Sequence, residues 1–279
     1  MSLADYEGRH AFITGGASGI GLGMAEAFAQ RGMAVTLADV DVARADTEAA
    51  RLRGAGARAR ALALDVSDPG AWTGAFDAAE AEFGPLAILC SNAGVAGSVL
   101  PLAECSPEGW DWTMAINLDA CFHSMRLGAP RLLASGRPAH FVATASMGAF
   151  AAFATNGPYS AAKAAVIALC ETLRDELKGT PVGVSVLCPG LVKTRLLVNN
   201  DALAPPGVGV GGHSATVAEQ MQTALAPREV GEIVARGVEA RRFWLFTAPQ
   251  SIDRIRAHFA EIEADAQPSV ILGKPEVSR

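Results

Sequence analysis

The sequence predicts a doubly wound parallel α/β sheet, and three observations carry that expectation. Short apolar runs alternate with amphipathic helical stretches along 279 residues. The first run, His10-Ala-Phe-Ile-Thr14, stops at a glycine-rich turn that leads into a helix. The runs that follow end at Asp39, Asp65 and Asn92, so polar side chains collect at the carboxyl ends of the strands, where such sheets bind ligands.

Taking the elements in order, Thr14-Gly-Gly-Ala-Ser-Gly-Ile-Gly21 joins that first strand to a helix expected over Leu22 to Arg31. Strand, glycine turn and helix together make the phosphate-binding unit of a Rossmann-type dinucleotide fold. Glycine lets the backbone approach a diphosphate, and the helix start offers free N–H groups and a positive dipole end. The spacing of Gly15, Gly19 and Gly21 is G-x-x-x-G-x-G. Without its neighbours such a turn is a weak signal, since any tight strand-to-helix turn can use glycine.

The second strand, Ala34 to Ala38, ends at Asp39, where a carboxylate can accept from both hydroxyls of an adenosine ribose and repels a 2′-phosphate. Asp41 is a rival for that role, and a plain strand-end turn is the structural alternative. No Arg or Lys lies in the glycine turn or directly after Asp39, which favours NAD over NADP; Arg44 is the one nearby base. A helix over Val42 to Gly54 and a strand over Arg60 to Leu64 precede Asp65-Val66. Ser67-Asp68-Pro69 reads as the start of the next helix, and Ala87 to Cys90 as a strand ending at Asn92-Ala93-Gly94.

Pro107 to Gly128 is a long helical stretch with Asn117 in its middle, either a satisfied core amide or a holder of active-site water. His140 to Thr144 is the fifth strand, with Ser146 just beyond it; Pro158 opens a helix whose first turns carry Tyr159 and Lys163. Val182 to Leu187 is the sixth strand and runs into Cys188-Pro189-Gly190. From Leu191 to Pro227 the pattern changes, and Ala204 to Gly212 has turn chemistry suited either to a lid or to a plain loop. A helix over Pro227 to Ala240, a last strand over Phe243 to Phe246 and a charged helix over Ser251 to Ala266 follow. The expected organisation is a single domain over residues 1–279, with a lid at about 191–226 and a C-terminal helix and tail at about 249–279.

Tyr159 and Lys163 stand four apart and so share a helix face. A neutral tyrosine, with a pKa of about 10, is a poor acid or base at neutral pH. An ammonium beside it favours the phenolate and brings it into range for proton transfer, and a serine such as Ser146 can hold a carbonyl or alcohol oxygen against it. Most Tyr-x-x-x-Lys pairs are ordinary helix surface, so the weight comes from what precedes this one.

Composition narrows the function classes. Hydrophobic residues make up 50% and charged residues 19%, as in a globular chain. A net charge of −6 without a Lys/Arg cluster speaks against a nucleic-acid surface. The N-terminus lacks an apolar signal core, and no long apolar run suits a membrane span. Cys90, Cys105, Cys121, Cys170 and Cys188 are odd in number and lack C-x-x-C spacing, which reads as reduced packing residues in a cytoplasmic protein. The five histidines are scattered, so no metal is expected.

Together these residues resemble the short-chain dehydrogenase/reductase family from about Tyr6 to Phe246. The matching pieces are the glycine turn, Asp65-Val66, Asn92-Ala93-Gly94, Asn117, Ser146, Tyr159-Ser-Ala-Ala-Lys163 and Pro189-Gly190, in the family's order and spacing. The resemblance implies hydride transfer between a nicotinamide and a secondary alcohol or ketone. Tyr159 would be the general acid/base, Ser146 would orient the substrate oxygen, Lys163 would bind the nicotinamide ribose, and Asn117 would hold a proton-relay water. Gly15, Ser18, Gly19, Ile20, Gly21 and Asp39 would bind the cofactor. Asp65 and Val66 would meet its adenine, Asn92, Ala93 and Gly94 its middle, and Pro189, Gly190 and Thr194 its carboxamide end. A homodimer or homotetramer is implied as well.

A narrower similarity, through Ala134 to Pro138, Gly157 to Ala165 and the helical tail, is to bacterial Cα-dehydrogenases that oxidise lignin-derived β-aryl ethers with NAD. It implies a bulky aryl carbinol as substrate. The alternatives are an NADPH-dependent carbonyl reductase, disfavoured by Asp39, and a non-catalytic nicotinamide-binding regulator, disfavoured by the intact Ser146, Tyr159 and Lys163 set.

Overall fold

An apolar run flanked by helices on both faces must bury every residue, and the first strand, β1 (His10–Thr14), does so. Its side chains alternate between two cores, Phe12 entering one and Ile13 the other. The structure, a computed structural model, describes residues 6–152, 154–210, 224–248 and 252–266. The further strands are β2 (Ala34–Asp39), β3 (Ala59–Ala63), β4 (Leu86–Ser91), β5 (Ala139–Thr144), β6 (Val182–Cys188) and β7 (Trp244–Phe246). All pair in parallel in the order β3-β2-β1-β4-β5-β6-β7. The chain reverses direction across the sheet between β1 and β4, which opens a crevice at their carboxyl ends. The expected Rossmann-type fold is the observed one.

The helices are α1 (Gly19–Ala29), α2 (Val42–Gly54), α3 (Ala71–Phe83), α4 (Pro107–Met114), α5 (Ala120–Ala134), α6 (Gly157–Glu176), α7 (Leu196–Leu203), α8 (Pro227–Glu239) and α9 (Ile252–Asp265). On one face, Met24 and Phe28 of α1 pack with Leu52 of α2 and Val230 and Val234 of α8. On the other, Trp72 and Phe76 of α3 pack with Met125 of α5 and Val166 of α6. Among the described residues no helix is long and apolar enough to cross a membrane.

Helix α8 grips α1 closely. A Cβ at Gly231 would lie 2.0 Å from the Gly23 carbonyl oxygen, and one at Gly23 would lie 2.1 Å from that of Pro227. Arg31 adds a two-pronged pair to Glu232, with both N···O distances 2.8 Å. The C-terminal part of the chain thus fixes the helix whose first turn faces the crevice.

Several boundaries differ from the expectation. Helix α1 starts at Gly19 rather than Leu22, because the end of the glycine turn is already helical. Helix α3 starts at Ala71 rather than at Ser67-Asp68-Pro69. The Asp65 carboxylate accepts from the Ser67 amide and hydroxyl, and Asp68 accepts from the Gly70 amide, so these acids close turns instead of capping a helix. The long helical stretch reaches Ala134 and is interrupted by a π turn at Ala115–Asp119, where the Ala120 amide donates to the Ala115 carbonyl.

Helix α7 falls where only a change of pattern was expected. Its eight residues, Leu-Leu-Val-Asn-Asn-Asp-Ala-Leu, are too few and too mixed to show a helical period. Beyond it, the Val99 amide and Ser98 hydroxyl donate to the Gly209 carbonyl at 3.0 and 3.3 Å, and Val208 is buried. The described part of the expected lid is therefore held against the loop after β4 as far as Gly209. Residues 211–223 of it, Gly211 and Gly212 among them, lie outside the described residues, as does the tail from Gln267.

Candidate active site

Three strand ends are pinned to one another by short polar side chains. Thr14 Oγ1 accepts from the amides of Asn92 and Ala93 at 2.9 and 3.0 Å and donates to the Cys90 carbonyl at 3.3 Å. Asn92 returns a bond from Nδ2 to the Thr14 carbonyl at 3.0 Å, and its Oδ1 accepts from the Thr144 hydroxyl at 3.0 Å. The ends of β1, β4 and β5 are therefore one rigid frame, and a cavity of about 840 Å³ opens above it.

The cavity brings together the expected residues with one exception. Gly15, Ser18, Gly19, Ile20, Asp39, Asp65, Val66, Asn92, Ala93, Gly94, Asn117, Ser146, Tyr159, Lys163, Pro189, Gly190 and Thr194 all line it. Gly21 does not. A Cβ there would lie 2.1 Å from the Gly15 carbonyl oxygen and 2.7 Å from Asn92 Nδ2, so this glycine lets the turn fold on itself. Gly15 adopts φ +65, which favours glycine, and a Cβ on it would press on the Ala93 Cα at 3.0 Å.

At one end of the cavity, the Asp39 carboxylate ties the glycine turn to β2. It accepts from the Ala17 amide at 2.9 Å and the Asp41 amide at 3.0 Å, while burial pushes its carboxyl up. Asp41, its rival on the sequence, instead caps α2 by accepting from the Arg44 amide at 3.1 Å. Neither Asp41 nor Arg44 lines the cavity.

At the other end, Ser146 leaves β5, accepts from the Gly148 amide at 3.0 Å, and sits beside the Tyr159 phenol. Proline at the start of α6 places Tyr159 in its first turn and Lys163 one turn on. Lys163 is buried, its Nζ 5.8 Å from the Tyr159 ring centroid and 2.9 Å from the Thr144 carbonyl, to which it donates. Burial brings the lysine down to about 8. Burial also pushes the Tyr159 phenol up, and the Ser146 hydroxyl pulls it back. The sequence led us to expect the ammonium to lower the tyrosine; here desolvation sets the direction, and the Lys163 ammonium donates to the Thr144 carbonyl.

Asn117 sits in the π turn with both ends of its carboxamide engaged. Oδ1 accepts from the Val95 amide at 3.1 Å, and Nδ2 donates to the Val95 carbonyl at 2.9 Å. A Cβ at Gly94 would lie 2.8 Å from Asn117 Oδ1 and 3.4 Å from Lys163 Nζ, so a bare backbone at 94 keeps the space between amide and lysine open. The Gly190 amide donates to the Thr247 hydroxyl at 3.0 Å, seating the segment after β7 on the Pro189-Gly190 turn.

Sequence reasoning missed part of the wall. Thr144, a strand-end residue with a hydroxyl, joins the frame through Asn92. Trp112 and Ile116 come from the stretch around the π turn, Leu196 and Leu197 from α7, and Arg254 and Ile255 from α9. No motif marks these positions; only the fold brings them to the cavity.

The residues fit a dinucleotide. Helix α1 has no acid in its first turn, and its N-cap Ser18 makes no side-chain capping bond, in contrast to α2 and α4, which Asp41 and Ser106 cap. The amides of that turn are left for an anion. Glycines at 15, 19 and 94 keep side chains out of the path from there to Lys163.

Comparison with known proteins agrees with this geometry. The family profile described as short chain dehydrogenase matches residues 9–203. The C alpha-dehydrogenase of Sphingobium sp. strain SYK-6 is 35% identical over 272 residues, 95% of this chain and 89% of that protein. The 1-deoxy-11-beta-hydroxypentalenate dehydrogenase of Streptomyces exfoliatus is 38% identical over 255 residues, 91% and 88% of the two chains. A crystal structure of a short chain dehydrogenase/reductase from Burkholderia phymatum in complex with NAD superposes with a TM-score of 0.86 at 31% identity, covering 99% of each chain.

Proposed function

This chain belongs to the short-chain dehydrogenase family of oxidoreductases, and from that premise we propose that it oxidises a bulky secondary alcohol, an aryl carbinol, to the ketone with NAD. The observation that carries the reading is the convergence of Ser146, Tyr159 and Lys163 on one cavity with the glycine turn and Asp39. When bound, the nicotinamide supplies the hydride acceptor. Ser146 Oγ donates to the substrate oxygen and holds it against the Tyr159 phenolate oxygen, which takes the hydroxyl proton and becomes the phenol as the alcohol becomes a ketone. Lys163 favours that proton movement through its charge, and Thr144 fixes where the charge stands. Asn117 keeps the Val95 backbone in place beside the lysine, where a water would carry the proton away.

Three features support the finer reading. Asp39, rather than a base, faces the adenosine end, and a 2′-phosphate beside a carboxylate is costly. Trp112, Ile116, Met147, Leu196 and Leu197 give the cavity an apolar side suited to an aromatic substrate. The Sphingobium relative is named a C alpha-dehydrogenase. Phe122 and Leu133, exposed on α5, support a homodimer or homotetramer, and free cysteines at all five positions suit the cytoplasm.

The test is NADH formation with NAD or NADP and a panel of secondary alcohols that includes aryl carbinols. Turnover of an aryl carbinol with NAD is the expected result. Turnover only with NADP would overturn the cofactor reading, and turnover confined to aliphatic alcohols would overturn the substrate reading.

A further inference from the structure

The segment after β6 meets the start of α1. A Cβ on Gly19, the first residue of α1, would lie 3.2 Å from Thr194 Cγ2 and 3.3 Å from Thr194 Cβ. Thr194 is held there by its own turn, its hydroxyl accepting from the Leu196 amide at 3.3 Å. The next residue, Arg195, begins α7: it is the N-cap, and its carbonyl accepts from the Asn199 amide at 2.7 Å. Arg195, exposed to solvent, is among the residues that line the same cavity as Gly15, Ser18 and Gly19, and its guanidinium makes no ion pair or hydrogen bond among the described residues. Seven other arginines, Arg31, Arg51, Arg60, Arg131, Arg174, Arg236 and Arg256, pair with acids, and none of these seven lines the cavity.

The charge at this end of the cavity is otherwise unbalanced for the ligand the cleft suits. A dinucleotide brings a diphosphate with two negative charges to the α1 N-terminus. The glycine turn, Thr14 to Gly21, contains neither Lys nor Arg. Lys163 is turned to the Thr144 carbonyl at the other side of Gly94. The backbone amides and the helix dipole supply partial charges only. A planar guanidinium can grip two phosphate oxygens at once, which a lysine cannot.

We propose that Arg195 is the cation for the cofactor's diphosphate, reaching it from the N-cap of α7 across the Thr194–Gly19 contact. The inference rests on reading the cleft as a dinucleotide site, but not on the choice between NAD and NADP, because both carry the same diphosphate. It also links two events. Leu196, Leu197 and Asn199 of α7 line the cavity, so an arginine drawn to the diphosphate fixes the start of the helix that walls it. Cofactor bound first would then present a more ordered wall to the alcohol.

The test is direct binding, read by the fluorescence of NADH and NADPH on the unaltered protein, Arg195→Gln and Arg195→Lys, with ADP-ribose and adenosine as competitors. Arg195→Gln is expected to weaken the dinucleotide and ADP-ribose roughly tenfold and to leave adenosine unchanged, the scale of one charge-assisted contact at a half-open site. The affinity of the unaltered protein should fall more steeply with added salt than that of Arg195→Gln. Arg195→Lys should recover part of the loss, since the charge returns without the fork. Unchanged binding in Arg195→Gln, or equal weakening of adenosine, would overturn the proposal, as would a loss that appears instead in Arg254→Gln, the other arginine on the cavity. If the unaltered protein binds neither dinucleotide, the cofactor reading falls and this one with it. If it binds NADPH alone, only the NAD reading falls.

Discussion

Asn200 pairs both ends of its carboxamide with the main chain of Gly97, accepting from its amide at 2.8 Å and donating to its carbonyl at 3.1 Å. Asn117 does the same with Val95. Two asparagines from separate helices thus hold alternate residues of the loop after β4, and the Asn200 pair is what latches α7 to the cavity.

Replacing that latch should loosen the wall without touching the proton-transfer residues. Asn200→Leu leaves the buried amide and carbonyl of Gly97 without partners, at roughly 1–3 kcal/mol for each group. The expected outcome is a lower melting temperature and a higher KM for the alcohol, with NADH affinity changed far less. A KM that stays constant while the melting temperature falls would show that α7 takes no part in holding substrate.

Tyr159→Phe should keep cofactor binding and lose most turnover, because only the proton donor and acceptor is removed. Since burial holds the phenol above its ordinary value, alcohol oxidation should rise with pH through the alkaline range, and ketone reduction should fall. Lys163→Met removes an amine 5.8 Å from the ring whose positive charge is present below about pH 8, and should lower turnover most in that range. Pre-steady-state rates across pH decide this. Full activity in Tyr159→Phe, or unchanged turnover below about pH 8 in Lys163→Met, would overturn the assigned roles.

Asp39→Ala is expected to do two things, because the carboxylate both faces the ribose end and bonds the Ala17 amide. The discrimination against NADP that the NAD reading requires should shrink as the repulsion on a 2′-phosphate disappears. Affinity for NADH should also drop, as the glycine turn loses its tie to β2. Asp39→Asn, which keeps an acceptor for Ala17, should restore NADH binding more than it restores discrimination. Kd values for both cofactors in both variants separate the two effects.

Which residues meet in the cavity was legible in the sequence because they sit in motifs of fixed spacing at strand ends. Ser146, Tyr159 and Lys163 meet as their spacing implies, and all but one of the expected cofactor residues line the cavity. Strands β1 and β2 were legible because each is an apolar run stopped by a polar or glycine residue. What the sequence hid depends on long-range contacts. The π turn around Asn117 has no local signature. Helix α7 has too few apolar residues to show a period, and Trp112, Arg254 and Ile255 reach the cavity only through the packing of α4 and α9. The direction of the Tyr159 shift was hidden for the same reason: spacing puts a lysine nearby, but burial and the Thr144 carbonyl decide where its charge acts.

Gly231→Ala tests the crossing of α1 and α8. The added methyl would stand 2.0 Å from the Gly23 carbonyl oxygen and 2.2 Å from the carbonyl carbon, and backbone cannot move aside as a side chain can. The helices must separate, at a cost of roughly 1–3 kcal/mol or more. Because the glycine turn runs into α1, cofactor affinity should fall together with the melting temperature. Gly54→Ala, where a Cβ meets nothing within 4 Å, should leave both unchanged or slightly improved. A Gly231→Ala protein as stable as the parent would show that the two helices can part without loss.

Two histidines inside the sheet make stability depend on pH. His140 Nε2 lies 2.7 Å from the Ser185 hydroxyl, which itself donates to the Arg242 carbonyl at 2.6 Å, so Nε2 carries the proton. His140 Nδ1 is buried without a hydrogen bond, and a Cβ on Gly183 would come within 2.4 Å of it, so a second proton there would find no acceptor. Burial accordingly brings His140 down to about 3 and His10 to about 4. The unfolded chain takes up these protons near the ordinary histidine value of about 6.5. Between that value and the two depressed ones the unfolded state binds more protons, so stability is full above it and declines as pH falls. Denaturation midpoints should drop from about pH 7 to about pH 5, a range in which ordinary carboxylates stay ionised. His140→Gln, which keeps a donor for Ser185 and cannot charge, should flatten part of that slope. An equally steep slope in this variant would place the pH dependence elsewhere.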